Sequence, residues 1–308
     1  MPKVYIVLVN WNGWNDTASC LSSLQSLDYE NRKIIVVDNG STDDSAARLR
    51  KAFPWVEIIL AGANLGFPGG CNVGIRRALA EGADYVWLLN SDATADPEAL
   101  QALVERAESD SGVGAVGSAI FCMEEPTQLQ VWGGGYVNFW LGHARHFLKP
   151  VSDEEVQYIT GASLLIPRRA LETVGLLDER LFLYWDDPDY CWRLRKAGWK
   201  LSVAGRSKVW HKGMSSLGRR NPRLDTLFNS SAAIFFKQHS PVPLISIWVG
   251  VSLRIAKRLL RGDWMRARAT WNGARQGSRG RYDRRLTPTD AQSVRGKVRV
   301  GEIPPERQ

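Results

Sequence analysis

The sequence predicts an α/β fold, a doubly wound and mostly parallel sheet with a C-terminal basic helical extension. Three observations carry that expectation. Short, unbroken apolar runs alternate four times with helix-length segments, the pattern of parallel strands buried on both faces. A cluster rich in Asn, Asp or Gly follows each run, at residues 10–13, 38–43, 64–72 and 90–92. The charge is also divided unevenly. Of a net +8, residues 241–308 supply 15 Lys and Arg against 5 Asp and Glu, or +10, which leaves −2 for residues 1–240. That split sets the expected organisation, a nearly neutral domain over 1–240 and a basic tail over 241–308. It argues against nucleic acid in the main domain and aims the tail at an anionic surface. With 308 residues, 44% of them hydrophobic, the chain can bury a large core.

Taken in order, Val4 to Val9 is the first strand and ends in Asn10-Trp11-Asn12-Gly13. A helix is expected from about Asp16 to Leu27, then a second strand over Lys33–Val37. Asp38-Asn39-Gly40-Ser41-Thr42-Asp43 closes that strand, with Thr42 or Asp43 able to cap the next helix. A third strand, Val56–Leu60, leads into a loop over 63–72, and a helix follows from about Asn72 to Glu81. Tyr85–Leu89 is the fourth strand, terminated by Asn90-Ser91-Asp92, and Asp96-Pro97-Glu98 opens another helix. Past Val113–Gly117 the pattern is less regular. Gly133-Gly134-Gly135, among Trp132, Tyr136, Phe139 and Trp140, implies a second wall in which glycine permits close backbone approach. Tyr158–Pro167 reads as a strand and Arg168–Val174 as a short helix. Trp199–Ala204 and Lys208–Trp210 read as two last short strands, with His211 at the end.

Between them lies Tyr184-Trp185-Asp186-Asp187-Pro188-Asp189. Here Asp187 suits an N-cap, Pro188 the first helical position, and Gly198 the stop. Two readings stand. One is a capped amphipathic helix. The other makes one of these carboxylates a general base, with Asp186 and Asp187 raising each other's pKa and the helix N-terminus opposing that.

In sheets of this kind ligands lie beyond the carboxyl ends of the strands, where all four polar clusters fall. Asp38 ends a strand where it can accept hydrogen bonds from a nucleobase or ribose. Asp92 and His211 offer a carboxylate and an imidazole at the same edge, a donor set that suits Mg2+ or Mn2+ better than zinc. A lone histidine also serves structure alone. The chain has no Walker-type phosphate loop, no Gly-x-Gly-x-x-Gly after its first strand and no Gly-x-Ser-x-Gly elbow. Those absences remove P-loop, dinucleotide and common hydrolase readings. Cys20, Cys71, Cys122 and Cys191 are scattered, as buried thiols in a reducing compartment, and no signal-peptide core follows Met1. A cytoplasmic location is expected.

Together these pieces resemble family 2 glycosyltransferases of the GT-A fold, close to the rhamnosyltransferase-like members. The resemblance rests on Val9-Asn10-Trp11-Asn12-Gly13, Val37 to Asp43, Asn64-Leu65-Gly66-Phe67 with Asn72-Val73-Gly74, Leu89 to Asp92, Gly161-Ala162, Tyr184 to Asp189, and Trp210-His211. It spans about residues 3–215, in family order. It implies an inverting transfer from a nucleotide-diphosphate sugar to a glycan or lipid-linked acceptor of the cell envelope. Donor contacts then fall on Asn10, Asn12, Asp38, Asn39, Asn64, Gly66, Asn90, Ser91 and Asp92, and acceptor contacts on Trp185, Gly161 and Ala162. The cation, Mn2+ or Mg2+, falls to Asp92 and His211, and the catalytic pair to Asp186 and Asp187, with Asp187 the base. Two positions depart from the family pattern: Asn90 replaces the first acid of Asp-x-Asp, and Asp186 stands where Glu is usual. The alternatives are a non-catalytic carbohydrate- or membrane-binding protein on the same fold and a sugar nucleotidyltransferase. The latter wants basic residues in the first loop, which Asn10-Trp11-Asn12-Gly13 lacks.

In the tail, Val242–Leu253 is apolar but shorter than the roughly 20 residues a bilayer span needs. A helix is expected to follow, in which Arg254, Lys257, Arg258, Arg261, Arg266 and Arg268 interleave with Leu259, Leu260, Trp264, Met265 and Trp271. This is the composition of an interfacial helix on an anionic membrane, peripheral on the inner face of the cytoplasmic membrane, or of an arm packed on the core or on a second subunit. Loose order is expected after about Gly277.

Overall fold

Along the first strand Val4, Ile6 and Leu8 enter one hydrophobic cluster while Tyr5 and Val7 enter another, and all five are buried. This is a strand covered on both sides, as its unbroken apolar run predicts. The computed structural model describes residues 1–212 and 221–280. In chain order the elements are β1 (Val4–Asn10), α1 (Trp14–Gln25), β2 (Arg32–Asp38), α2 (Ser45–Ala52), β3 (Glu57–Leu60), α3 (Gly66–Ala80), β4 (Tyr85–Leu89), β5 (Ala93–Ala95), α4 (Ala99–Glu108) and β6 (Val113–Cys122). There follow β7 (Leu129–Trp132), β8 (Gly134–Asn138), β9 (His143–His146), β10 (Tyr158–Ile159), β11 (Ser163–Pro167), α5 (Arg168–Val174), α6 (Asp186–Lys196), β12 (Lys200–His211), α7 (Pro222–His239), α8 (Pro243–Leu259) and α9 (Trp264–Ser278).

The main sheet runs in the order β3-β2-β1-β4-β11-β6-β12-β5, with β7 on β6. β3, β2, β1 and β4 are parallel, as are β6 and β12. β11 is inserted antiparallel between β4 and β6, and β5 lies antiparallel on β12. Strand order reverses at β1, which opens a crevice between the carboxyl ends of β1 and β4. Leu21, Leu24, Leu49 and Leu103 of α1, α2 and α4 cover one face. Ile75, Leu171, Leu194 and Phe235 of α3, α5, α6 and α7 cover the other.

The doubly wound α/β reading holds, and several boundaries change. Residues 66–71, expected as loop, are the first turns of α3. The glycines there serve packing: a Cβ on Gly70 would stand 2.8 Å from Val9 Cγ1, and one on Gly74 would press into Val7. Tyr158–Pro167 is two strands, because the chain leaves the small β10-β8-β9 sheet and enters the main one at Thr160-Gly161-Ala162. The two last strands are one, β12, bulged between Ala204 and Lys208, with both halves on β6. Ser207 turns its hydroxyl inward at that bulge, 2.8 Å from Ser118 Oγ. Gly134 and Gly135 pass the Tyr158 and Arg145 carbonyls too closely for a side chain, as the close-approach reading expects. The apolar run after Val242 and the basic segment up to Leu259 form one helix, α8, and α9 continues to Ser278. Most of the stretch expected to be loosely ordered, residues 281–308, lies outside the described residues.

Candidate active site

At the ends of β1 and β2 the buried Asp38 carboxylate is fixed from two sides. Asn10 Nδ2 donates to Oδ1 at 2.9 Å and the Ser41 N–H to Oδ2 at 3.1 Å. Thr17 Oγ1 orients Asn10 by donating to its Oδ1 at 2.9 Å. Asn12, left-handed at φ 52°, accepts the Thr42 N–H at 2.8 Å and ties the two strand-end turns together. Asn39 and Asn64 clamp the next turn. Asn39 Nδ2 donates to the Gly66 carbonyl at 3.0 Å, its Oδ1 accepts from Leu65 N–H at 3.0 Å, and Asn64 Oδ1 accepts from Gly66 N–H at 2.9 Å. These bonds hold the loop, so the two side chains shape the pocket through the backbone. Gly66 is required there, with φ 77° and the Phe182 carbonyl against it.

A second group forms where β4 ends and β12 arrives. The Asn90 N–H donates to the Ala162 carbonyl at 3.1 Å, and Ser91 sits in the turn before Asp92. β12 pairs His211 with Ala93, which brings His211 Nε2 to 3.2 Å from Asp92 Oδ1 and 3.1 Å from Asn90 Nδ2. His211 Nδ1 meets Gln130 Oε1 at 3.0 Å. Gln130 Oε1 accepts only from a protonated Nδ1, so in the neutral ring Nε2 is the acceptor nitrogen, met by the Asn90 amide at 3.1 Å. An acceptor nitrogen 3.2 Å from a carboxylate oxygen is a mixed imidazole and oxygen donor set, and that chemistry fits Mn2+ or Mg2+. Among the described residues no group of three or more His, Cys, Asp or Glu is placed to hold a metal ion, so Asp92 and His211 would supply only part of a shell.

The third group is the acidic turn. Tyr184 and Trp185 both take left-handed backbone, φ 68° and 66°, and the helix starts at Asp186. The expected cap is corrected accordingly. Trp185 occupies the N-cap position, Pro188 is the third helical residue, and Asp187 accepts the Gly161 N–H at 3.2 Å. Asp187 is half-buried and Asp186 buried. Burial pushes the Asp187 carboxyl up to about 6 against the lowering pull of the Gly161 N–H and the Thr160 hydroxyl. Burial, then the charge of Asp187, pushes Asp186 well above the usual carboxylate range. The acceptor role expected of Trp185 does not match its placement. Its indole is buried against Phe228, Phe235 and Phe236 of α7, with ring centroids 5.7, 5.0 and 4.9 Å away. Gly161 does line the site, and a Cβ there would stand 3.4 Å from Phe67 and 3.8 Å from Asp187 Cβ.

The three groups share one rim of the sheet. Asn90 is joined to Ala162, Gly161 to Asp187, and Phe67 links Gly161 to the Gly66 turn. Sequence reasoning missed Gln130, which no motif marks, and Thr160. It also missed the partners of the buried Asp189 in that helix, where His239 Nε2 lies 2.7 Å from Oδ1 and Arg193 Nε 2.9 Å from Oδ2.

The model of "Glycosyl transferase family 2" matches residues 5–175. The chain is 28% identical over 239 residues to an N-acetylglucosaminyl-diphospho-decaprenol L-rhamnosyltransferase of Mycobacterium tuberculosis, covering 70% of this chain and 77% of that protein. It is 30% identical over 202 residues to galactofuranosyltransferase GlfT1 of the same organism, covering 64% of this chain and 66% of that one. Among solved structures, the mannosyltransferase PcManGT from Pyrobaculum calidifontis, in complex with GDP-Man and Mn2+, superposes with a TM-score of 0.56 at 15% identity. That superposition covers 90% of this chain and 87% of that one, and it supports the GT-A fold. The family match spans over half of the chain and takes in the strand ends that carry Asp38 and Asp92, so the protein belongs to glycosyl transferase family 2.

Proposed function

We propose that this glycosyltransferase is an inverting, metal-dependent enzyme. On this reading it moves a sugar, with rhamnose the first candidate, from a nucleotide-diphosphate donor to a hydroxyl of a lipid-linked cell-envelope glycan. The observation that carries the reading is Asp187, a carboxylate with a raised pKa held at the rim by the Gly161 N–H. A base of that pKa is ionised at neutral pH and still takes a proton readily. Asp187 accepts the proton of the acceptor hydroxyl as it attacks the anomeric carbon from the face opposite the diphosphate. Asp38, fixed by Asn10 and Ser41, binds the nucleoside, and the clamped turn at Gly66 walls the donor site. Asp92 and His211 hold the cation, which when bound supplies neutralisation of charge on the leaving diphosphate. Much of the rate comes from orientation of acceptor and base.

The relative named as an L-rhamnosyltransferase of a decaprenyl-diphosphate sugar supports the choice of sugar and acceptor class. The cytoplasmic side of the membrane is proposed as the place of reaction, consistent with four free thiols. No helix among the described residues is long and apolar enough to cross a membrane.

Calorimetric titration with several nucleotide-sugars, with and without Mn2+, paired with a transfer assay, tests the reading. Asp187→Asn should keep donor affinity and lower turnover by about 10²–10⁴-fold. An unchanged turnover number refutes the assignment, and absence of any Mn2+ effect on donor binding refutes the metal.

A further inference from the structure

α8 and α9 each bury one side and leave the other open. Ser246, Ile247, Gly250 and Val251 of α8 face inward, and Arg254 spends its guanidinium on Asn229 Oδ1 and the Gly142 carbonyl, both at 2.8 Å. The opposite side carries Ile245, Val249, Leu253 and Leu260, all exposed and spaced along one helical stripe, with Leu260 89% exposed. The open side of α9 alternates Trp264, Arg268, Trp271 and Arg275, and Trp264 is 71% exposed. Trp248 and Trp271 meet at 5.3 Å between centroids and join the helices along one flank of the α8 stripe. On the other flank Gly142 lies against Ser246 and Gly250, which sets the exposed Trp140 and Leu141 alongside. Three elements thus share one apolar face, a density that scattered surface residues do not reach.

The charge on this face has one sign. Residues 241–280 hold eight Lys and Arg against a single acid, Asp263. Arg258 and Arg266 turn inside to pair with Asp225, and Arg266 pairs with Asp263 as well. Lys257, Arg261, Arg268 and Arg275 are exposed and, among the described residues, form no ion pair. A second copy would set these cations against themselves. A nucleic acid would leave the aliphatic stripe of α8 without a partner.

We infer that this face docks on an anionic lipid bilayer. Leu253, Leu260, Trp264 and Trp271 enter the boundary between headgroups and acyl chains, and Lys257, Arg261, Arg268 and Arg275 meet lipid phosphates. The inference deepens the reading of a lipid-linked acceptor and rests on it for its purpose, while its test is independent of transfer.

The full chain is sedimented with vesicles of phosphatidylcholine alone and of phosphatidylcholine with phosphatidylglycerol. The parent should bind the anionic vesicles, lose that binding as salt rises, and bind the neutral ones weakly. The pair Leu260→Glu with Trp264→Glu, and separately Lys257→Glu with Arg268→Glu, should each weaken binding on the order of tenfold or more. All four positions are exposed, so unchanged thermal melts and donor affinity are expected and separate this result from failure of the sugar-transfer reading. Parent protein that stays in solution with both vesicles overturns the inference, as do variants that bind like the parent. Light scattering that shows a dimer lost in the apolar variant makes the face a contact between copies, and also overturns it.

Discussion

As the proposed base, Asp187 meets two opposing demands. Its carboxylate must be ionised to accept a proton, yet it sits where burial favours the neutral form and lifts its pKa to about 6. Transfer should therefore fall as pH drops through about 6, and well below that value should lose tenfold per unit in kcat/KM. A profile flat from pH 7 to 5 would remove Asp187 from the role. The same shift bears on stability with the opposite sign. The folded pKa exceeds the unfolded value of about 3.9, so the native state binds more protons between those values. Stability from this group is fully present below the lower value and is lost as pH rises through about 6. Asp187→Asn should then raise stability at pH 7 by on the order of 1 kcal/mol, discounted for the half-buried position, and by little at pH 4. Paired thermal melts at the two pH values check this. At this scale the sequence disclosed the identity of the acids and concealed their geometry. The places of Asp38 and Asp92 at strand ends were legible because each closes or closely follows an unbroken apolar run, the mark of a buried parallel strand. Asp187 looked like an N-cap because nothing in Tyr184-Trp185 announces two left-handed residues, and those start the helix early and turn the Trp185 ring into the core.

Helix α3 shows why element type was easier to read than element boundary. Its first turns contain Gly66, Pro68, Gly69 and Gly70, a composition that propensity assigns to loop. Close packing against β1 overrides that preference, since the helix backbone passes Val9 at Gly70 and Val7 at Gly74. Gly74→Ala should gain about 1 kcal/mol in helix propensity and lose more to overpacking, for a net destabilisation of about 1–2 kcal/mol. Denaturant unfolding measures it. A double-mutant cycle with Val7→Ala should show positive coupling, the pair costing about 1 kcal/mol less than the sum of the singles. Strict additivity would mean that Gly74 is set by something other than Val7. β12 fell into two pieces in the sequence for a related reason, because a bulge satisfied by Ser118 and Ser207 has no local signature in Gly205-Arg206-Ser207.

Across the whole molecule, the basic tail packs by one side and leaves the other open, a division its composition alone could not apportion. Phe235 and Phe236 of α7 pack on Trp185 at the start of α6, and His239 reaches the buried Asp189 on that helix. α9 then lies on α7 with Gly273 and Gly277 against the Thr226 and Ser230 carbonyls, and the proposed division at residue 240 falls between α7 and α8. One buried carboxylate ties the three helices. Asp225 of α7 pairs with Arg258 of α8 and Arg266 of α9, the latter also capped by Asp263 through its N–H at 3.2 Å. Replacing such an ion cluster with apolar residues can be neutral, but removing only the acid strands two partly buried guanidiniums. Asp225→Ala should cost about 3–5 kcal/mol, whereas an exposed acid such as Glu30→Ala should stay within about 0.5 kcal/mol. Thermal melts of the two variants compare them directly, with hydrogen exchange locating the loss. Early exchange confined to α8 and α9 would mean that they unfold apart from the sheet. Exchange that spreads through α7 into α6 would mean that the open basic face and the turn bearing Asp187 stand on one cooperative unit.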